Sequence, residues 1–381
     1  MIDFTLSDEQ RSIAEMVREL MVEQVAPRTR EIEDLAEFPV WVAELFRGLD
    51  LFAVAAPEEY GGIDGSLVTL CVVEEQIARV SPACSMIVGV QSLGSTPINL
   101  FGGAEQKRRW LPAFAAGEKM VAFGLTEPDA GSDVKAMGTR AVRADGGWRL
   151  NGRKCFISHA NIADVVVCFA KVNVEGRDQI TAFLVETDQP GYVVDKVEHK
   201  MGLRGSPTCS FVLEDAWVSR ENLLGEVGHG LEILLATLHR SRSCSAAQSL
   251  GVAQGALDLS VVYVKEREQF GRPLAKMQAV QMIVGGMVAQ TEAARCVVYA
   301  AAARHDGESA NVERFSAMAK LVASEAAMDV STNAVQIMGG YGYMVEYGVE
   351  QFMRDAKVFQ IFEGANELHR MAIARDLFAK G

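Results

Sequence analysis

The chain has 381 residues, of which 49% are hydrophobic and 23% charged, and this is the composition of a globular protein with room for two or three domains. The formal net charge of −13 argues against a nucleic-acid partner, because a phosphate backbone repels an acidic surface. The sequence contains no apolar run of the roughly 18 residues that a membrane span requires, and its N-terminus lacks the pattern of a secretory signal. We therefore expect no membrane association.

The cysteines and histidines do not form any recognisable ligand pattern. The seven cysteines are scattered without a Cys-x-x-Cys pair, and the six histidines show no metal-ligand spacing. Free thiols are typical of proteins in a reducing compartment. We expect a cytoplasmic protein with neither disulfides nor a metal site.

The first third of the chain is predicted to be helical. Ser7 and Gln10 have the spacing of a capping box, and apolar residues then recur at helical intervals up to Met21. A loop is predicted at 57–62, and helical patterns follow over 67–80 and much of 83–110. We expect an all-α domain spanning residues 1–117.

Residues 118–228 differ in composition from the segments on either side. β-Branched and aromatic runs such as 165–169, 180–185 and 210–213 alternate with turn signals such as Asn151-Gly152. This pattern predicts a small β domain. A dinucleotide-binding fold is excluded, because no Gly-x-Gly-x-x-Gly follows a strand and the helices do not alternate with strands.

Helical periodicity returns at Gly230 and continues to the end of the chain. The Ala-, Met- and Leu-rich stretches 246–268, 276–304 and 312–338 are typical of packed helices in a bundle. The predicted fold class is therefore α+β. It combines an N-terminal helical domain, a β-barrel-like middle domain (118–228) and a C-terminal four-helix bundle (229–381).

Two segments of the predicted β domain carry groups that could hold a flat ring or a phosphate. The turn at 126–133 offers hydroxyls and the backbone N–H groups freed by Gly131. In the following strand, alternation places Phe156 and Ser158 on one face. Taken alone, the first segment is as readily a structural turn, and the second is more often core packing.

Glu363 is the candidate general base. It follows the apolar residues Ile361 and Phe362, precedes Gly364, and lies just before a renewed helical pattern. A carboxylate in such surroundings can lose its water, and desolvation raises its pKa toward the range of a useful base. An isolated Glu-Gly is more often a surface turn, so the assignment depends on the rest of the chain.

Six segments carry a more specific signal, and they occur at 57–62, 126–133, 156–158, 266–271, 336–340 and 353–357. In this order and at this spacing they resemble the landmarks of the acyl-CoA dehydrogenase family, and the resemblance covers nearly the whole chain. It implies an FAD-dependent dehydrogenase in which Glu363 removes the α-proton of an acyl-CoA while the β-hydrogen leaves as hydride to the flavin. The product implied is a trans-2-enoyl-CoA.

The resemblance also implies binding residues. The implied FAD contacts are Phe123, Leu125, Thr126, Gly131, Ser132, Phe156, Ile157, Ser158, Arg267, Gln269, Phe270, Gln278, Gln336, Gly339, Gly340, Ala365 and Glu367. Those from Arg267 to Phe270 are implied to reach the FAD of a neighbouring subunit. The implied acyl-CoA contacts are Ser132, His239, Arg242 and Gly364.

The resemblance implies a homotetramer. It also implies a role in fatty acid metabolism and an electron-transfer flavoprotein as the electron acceptor. Ser241 occupies the position where some subfamilies carry their base, and serine cannot serve as one, which favours Glu363. His239 stands where Asp or Asn is common. Ala365-Asn366 replaces a common Thr-Ser, so one FAD contact is either missing or supplied by Asn366, which could also cap the next helix.

Two alternatives share the predicted fold. An acyl-CoA oxidase would use oxygen as the electron acceptor, and a related monooxygenase is disfavoured because that branch lacks the catalytic Glu. A non-catalytic flavoprotein that binds nucleic acid is disfavoured by the net charge of −13.

Overall fold

The computed structural model describes residues 6–309 and 311–378, and it begins with a helical region. Ser7 caps the first helix as predicted, since its Oγ accepts a hydrogen bond from the Gln10 N–H at 3.1 Å while Gln10 Oε1 accepts one from the Ser7 N–H at 3.0 Å. Gly102 and Gly103 separate the last two helices of the region. The helices are α1 (Asp8–Leu20), α2 (Thr29–Leu35), α3 (Val40–Gly48), α4 (Leu67–Ala78), α5 (Pro82–Phe101) and α6 (Ala104–Ala115).

The middle region forms one eight-stranded sheet. Its strands are β1 (Val121–Gly124), β2 (Arg140–Ala144), β3 (Gly147–Ser158), β4 (Val165–Val174), β5 (Arg177–Glu186), β6 (Tyr192–Val197), β7 (Thr208–Ser219) and β8 (Leu223–Leu224). They follow the order β6-β7-β3-β2-β4-β5-β8, and β1 pairs in parallel with β4. The β1–β4 pairing brings the segment after β1 close to β3, where the two ring-binding segments were predicted.

The C-terminal region is helical, as predicted. It contains α7 (Gly230–Glu266), a short hairpin of β9 (Glu268–Gln269) and β10 (Arg272–Pro273), α8 (Gln278–Asp306), α9 (Val312–Met338), α10 (Val349–Phe359) and α11 (Asn366–Phe378). Helix α7 starts at Gly230, well before the stretch predicted from residue 246. It packs against α4, α5, α8, α9 and α10. A helix enclosed on several sides buries small polar residues such as Ser243 and Ser249, so its N-terminal half lacks an apolar stripe.

A buried polar cluster joins the three regions. Arg354 of α10 donates hydrogen bonds to Glu33 Oε1 at 2.6 Å and to the Met201 carbonyl at 2.8 Å. The adjacent Asp355 accepts the Leu203 N–H at 2.6 Å. Since α10 leads directly into the Glu363 segment, these bonds help to set the position of that segment relative to the sheet.

We expect Asp355→Asn to reduce the pH dependence of stability. Burial raises the pKa of Asp355 to about 7. A carboxyl whose folded-state pKa is raised stabilises the fold fully below its unfolded pKa of about 3.9 and loses that contribution as the pH rises through the folded value. Asparagine keeps an oxygen for the Leu203 N–H but does not titrate. The melting temperature between about pH 4.5 and 7.5 should therefore vary less in the variant than in an Asp129→Asn control, which changes an exposed residue. Equal slopes for the two variants would contradict this assignment.

None of the helices in the described part of the chain is long and apolar enough to span a bilayer. Over the same residues, no cluster of three or more His, Cys, Asp or Glu side chains is arranged to bind a metal ion.

Candidate active site

Glu363 lies in the short connection between α10 and α11. Its backbone has φ 56° and that of Gly364 has φ 95°, so two successive residues adopt the left-handed region. For a residue with a side chain this conformation costs roughly 1–2 kcal/mol. The turn directs the Glu363 carboxylate at α7, where Ser241 Oγ donates a hydrogen bond to Oε2 at 2.9 Å.

The surroundings of Glu363 raise its pKa above the ordinary value of a glutamate. Burial of the carboxylate is the largest cause, and it is opposed by the Ser241 hydrogen bond and by the positive charges of Arg242 and Lys320. This direction agrees with the expected desolvation, but Glu363 as a whole is only half-buried, and its role as the base stays a prediction. Because the pKa stays raised despite two nearby cations, Glu363 is a stronger base than a solvated glutamate.

Lys320 supports the same turn from α9. Its side chain is fully buried, and Nζ donates to the Gly364 carbonyl at 2.6 Å and to Asn366 Oδ1 at 3.0 Å. Burial lowers the pKa of Lys320 to about 8. No motif in the sequence pointed to this residue, since a lysine within a helical stretch is usually solvated.

Asn366 differs from its predicted roles. It is the first residue of α11, and its Nδ2 donates to Ser324 Oγ at 3.0 Å while its Oδ1 faces Lys320. Asn366 lies within the helix and does not cap it. Both polar atoms of its side chain are occupied at α9, which favours the alternative in which one FAD contact is missing.

Three buried nitrogens near this turn have no hydrogen-bond partner in the described structure: His239 Nε2, Arg242 Nε and His369 Nε2. His239 Nε2 lies 3.9 Å from Glu313 Oε1, too far for a hydrogen bond. Burial lowers the pKa of all three side chains, and that of His369 falls to about 4. Buried polar nitrogens without partners are costly, and a bound ligand that offers hydrogen-bonding groups would satisfy them.

The two predicted ring-binding segments lie side by side. The Cys155 N–H donates to the Thr126 carbonyl at 2.9 Å, which joins the segment after β1 to the end of β3. Phe156 is 66% exposed with φ 58°, at an irregularity in the β3–β7 register. Ser158 is partly exposed on the same face, whereas the Ile157 side chain is buried in the sheet and can offer only its backbone to a ligand.

A buried ion pair supports these two segments. Lys154 Nζ donates to Glu127 Oε1 at 2.7 Å and to the Leu125 carbonyl at 3.0 Å, and its side chain is fully buried. Burial opposes ionisation of Glu127, but Lys154 and the N–H groups of Gly138 and Thr139 hold its pKa below the ordinary value. Sequence reasoning gave no role to Lys154, because only the fold places it opposite Glu127.

The other predicted cofactor residues occupy three places. Gly131 and Ser132 are exposed in the turn after Thr126, and Phe123 packs against Phe169 with ring centroids 5.1 Å apart. Ala365 and the exposed Glu367 flank the start of α11. The remaining residues are exposed on the helical bundle, at the β9–β10 hairpin, the start of α8 and the end of α9: Arg267, Gln269, Phe270, Gln278, Gln336, Gly339 and Gly340.

The hairpin and the end of α9 form a single exposed surface. The Arg267 guanidinium lies 5.3 Å from the Tyr341 ring centroid, and Phe270, with φ 53°, is 94% exposed. An apolar ring so exposed at the tip of a hairpin is typical of a residue that a partner surface covers.

Comparison with known families identifies the family to which the chain belongs. The model of the acyl-CoA dehydrogenase N-terminal domain matches residues 7–118, that of the middle domain 122–216 and that of the C-terminal domain 228–378. The chain belongs to the acyl-CoA dehydrogenase family. It is accordingly an FAD-dependent enzyme, and the predicted α–β–α architecture is the family's.

Relatives are similar to this chain over nearly its full length. An acyl-CoA dehydrogenase of Bacillus subtilis is 41% identical over 374 residues, which are 98% of each chain. A cyclohex-1-ene-1-carbonyl-CoA dehydrogenase of Syntrophus aciditrophicus is 41% identical and covers 98% of this chain and 90% of its own length.

Solved structures of the family superpose closely. Butyryl-CoA dehydrogenase from Megasphaera elsdenii has a TM-score of 0.95 at 38% identity and covers 99% of this chain and 100% of its own. A structure from work on the electron-transferring flavoprotein of Acidaminococcus fermentans has a TM-score of 0.95 at 40% identity, covering 99% of each chain. An FAD complex of an acyl-CoA dehydrogenase from Bacillus anthracis has a TM-score of 0.93 at 33% identity, covering 100% of this chain and 68% of its own.

The residues present fit the cofactor of the family. An isoalloxazine needs a flat apolar face with hydrogen-bonding groups at its edge, and the exposed Phe156 ring beside Thr126 and Ser158 offers both. The buried nitrogens without partners, His239 Nε2 and Arg242 Nε, lie in the region of Glu363 and can meet a charged or carbonyl-bearing ligand there.

Proposed function

We propose that this enzyme removes the α- and β-hydrogens of an acyl-CoA thioester and that Glu363 is its base. One observation carries the proposal: the Glu363 carboxylate is desolvated, has a raised pKa and is held by Ser241 in a strained turn. Because Ser241 donates to Oε2, we propose that Oε1 takes the α-proton. A substrate that expels the remaining water would strengthen this base further.

FAD bound at this site supplies the hydride acceptor. Its ring would lie on the surface formed by Phe123, Leu125, Thr126, Phe156, Ser158 and the Ile157 backbone, with Gly131 and Ser132 at its edge and Ala365 and Glu367 nearby. Arg267, Gln269, Phe270, Gln278, Gln336, Gly339 and Gly340 would serve the FAD of a neighbouring subunit. Their exposure on the bundle supports that assignment.

The thioester is proposed to lie between Glu363 and the β domain. The N–H of Glu363 would donate to the thioester carbonyl and stabilise the charge that develops there, a contribution of a few kcal/mol per donor. Arg242 is suited to a phosphate of CoA, because a guanidinium forms paired hydrogen bonds with phosphate oxygens. His239, Ser132 and Gly364 complete the proposed acyl-CoA contacts, and the unpartnered His239 Nε2 supports a ligand at that position.

Anaerobic mixing with a panel of acyl-CoA thioesters tests the function. We expect the yellow flavin absorbance to bleach, and the thioester that bleaches it fastest identifies the acyl class. Reoxidation in air should be slow and reoxidation by an electron-transfer flavoprotein fast. Fast reoxidation in air would indicate an oxidase, and no bleaching by any thioester would refute the proposal.

The electron acceptor is proposed to be an electron-transfer flavoprotein and the setting fatty acid metabolism in the cytoplasm. A structural neighbour from work on an electron-transferring flavoprotein supports the acceptor. The scattered free thiols agree with a reducing compartment.

We expect a homotetramer, because a lone subunit would hold only part of the proposed cofactor site. Light scattering should give about four times the chain mass of 41.3 kDa. Phe270→Glu, which places a charge at the most exposed hairpin position, should lower that mass and the FAD content together. Val142→Glu, at an exposed position of β2, is the matched control. A wild-type mass near that of one chain with full FAD content would overturn the expectation.

A further inference from the structure

The turn that carries Glu363 is held between two helices. On the α9 side, the buried Lys320 ammonium donates to the Gly364 carbonyl at 2.6 Å and to Asn366 Oδ1 at 3.0 Å. On the α11 side, His369 Nε2 lies 3.1 Å from the position that a Cβ on Gly364 would take. The backbone at Gly364 therefore has little freedom to move in either direction.

Such restraint is needed because the turn is strained. Glu363 and Gly364 both have positive φ, and a glutamate leaves that region readily unless its surroundings hold it. The Ser241 hydrogen bond reaches only the carboxylate, whereas the Lys320 bond reaches the backbone next to it. Lys320 thus ties this backbone to α9, while His369 of α11 lies against the same two residues from the other side.

We propose that Lys320 is the positioning residue of the catalytic turn: through the Gly364 carbonyl and Asn366 it holds Glu363 in the conformation that presents its carboxylate to the substrate. This inference rests on the proposed role of Glu363. Lys320 acts through the turn and touches neither the substrate nor the flavin in the arrangement proposed above.

The ammonium also acts through its charge. The titratable and charged groups facing it are Glu363, Arg242 of α7, and Glu367 and His369 of α11. A nearby cation favours the ionised carboxylate, and Lys320 is one of the groups that lower the pKa of Glu363. Without that charge Glu363 would need a higher pH to ionise, so the rise of the reduction rate with pH would move to higher pH.

Lys320→Met tests the proposal, because methionine fills the space but has neither charge nor donors. Flavin reduction by acyl-CoA should fall about 10- to 100-fold, in the range that a small misplacement of a catalytic group produces. The dissociation constant for the acyl-CoA product should change less than about threefold, since the role concerns positioning and not binding. The rising limb of the pH–rate profile should move to higher pH. Lys320→Arg, which keeps the charge, should restore the wild-type limb and part of the rate.

Lys357→Met is the matched control, because this exposed lysine lies on α10 just before the turn and should behave as wild type. A folded Lys320→Met with wild-type rate and pH profile would overturn the proposal. If Lys320→Met is not recovered folded, Lys320→Arg and Asn366→Ala serve as the test. A wild-type rate of flavin reduction in both variants would overturn the proposal. Failure of the proposed function would show differently, as a Glu363→Gln variant that still reduces its flavin.

Discussion

Glu363→Gln is expected to keep FAD and acyl-CoA bound yet slow flavin reduction by more than about 10⁴-fold. General acid–base catalysis alone contributes a rate factor of roughly 10²–10⁴. The expected loss of rate is larger here because proton removal and hydride departure are coupled. Glutamine preserves the size of the side chain and can still accept the Ser241 hydrogen bond seen at 2.9 Å. Stopped-flow measurement of the flavin absorbance under anaerobic conditions reports the rate.

Two companion variants sharpen that result. Glu44→Gln makes the same chemical change at an exposed carboxylate of α3 and should leave reduction unchanged. Glu363→Asp should retain partial activity, since its carboxylate is about one methylene short. In the wild type the rate should rise with pH through a pKa above that of free glutamate, because burial raises it. Near wild-type reduction in Glu363→Gln would place the base elsewhere.

Gly364→Ala should slow flavin reduction about 100-fold while FAD content stays near that of the wild type. Alanine at φ 95° is strained, and its Cβ would lie 3.1 Å from His369 Nε2, so strain and crowding together favour a shift of the turn. A displacement of about 1 Å at a catalytic group can cost 10²-fold in rate. Since Glu363 is the preceding residue, the shift moves its carboxylate relative to Ser241.

Gly348→Ala separates this effect from backbone strain alone. Gly348 also has a positive φ, 70°, but nothing lies within 4 Å of where its Cβ would be, and it precedes α10. We expect this variant to lower the melting temperature and leave the reduction rate close to that of the wild type. Equal rate losses in both glycine variants would show that strain, and not the position of Glu363, limits the reaction.

Local sequence patterns were enough to predict the architecture. Helical spacing from Ile13 to Met21, the β-branched runs of 165–185 and the long Ala-rich stretches after 246 each encode a preference that the fold satisfies. The apolar neighbours of Glu363 likewise predicted a desolvated carboxylate, but Ile361 is 58% exposed, so the burial that raises the pKa of Glu363 comes from tertiary packing.

The supports of the site were decided only by the tertiary structure. Ser241 meets Glu363 across 122 residues, Lys320 meets Gly364 across 44, and Lys154 meets Glu127 across 27. No local pattern distinguishes a serine or lysine that will be buried in a helix or strand from one that will face water. Whether such a side chain becomes a hydrogen-bond donor to a catalytic turn depends on how distant elements pack. The sequence therefore indicated the carboxylate that we propose as the base, and packing determined which groups hold it in place.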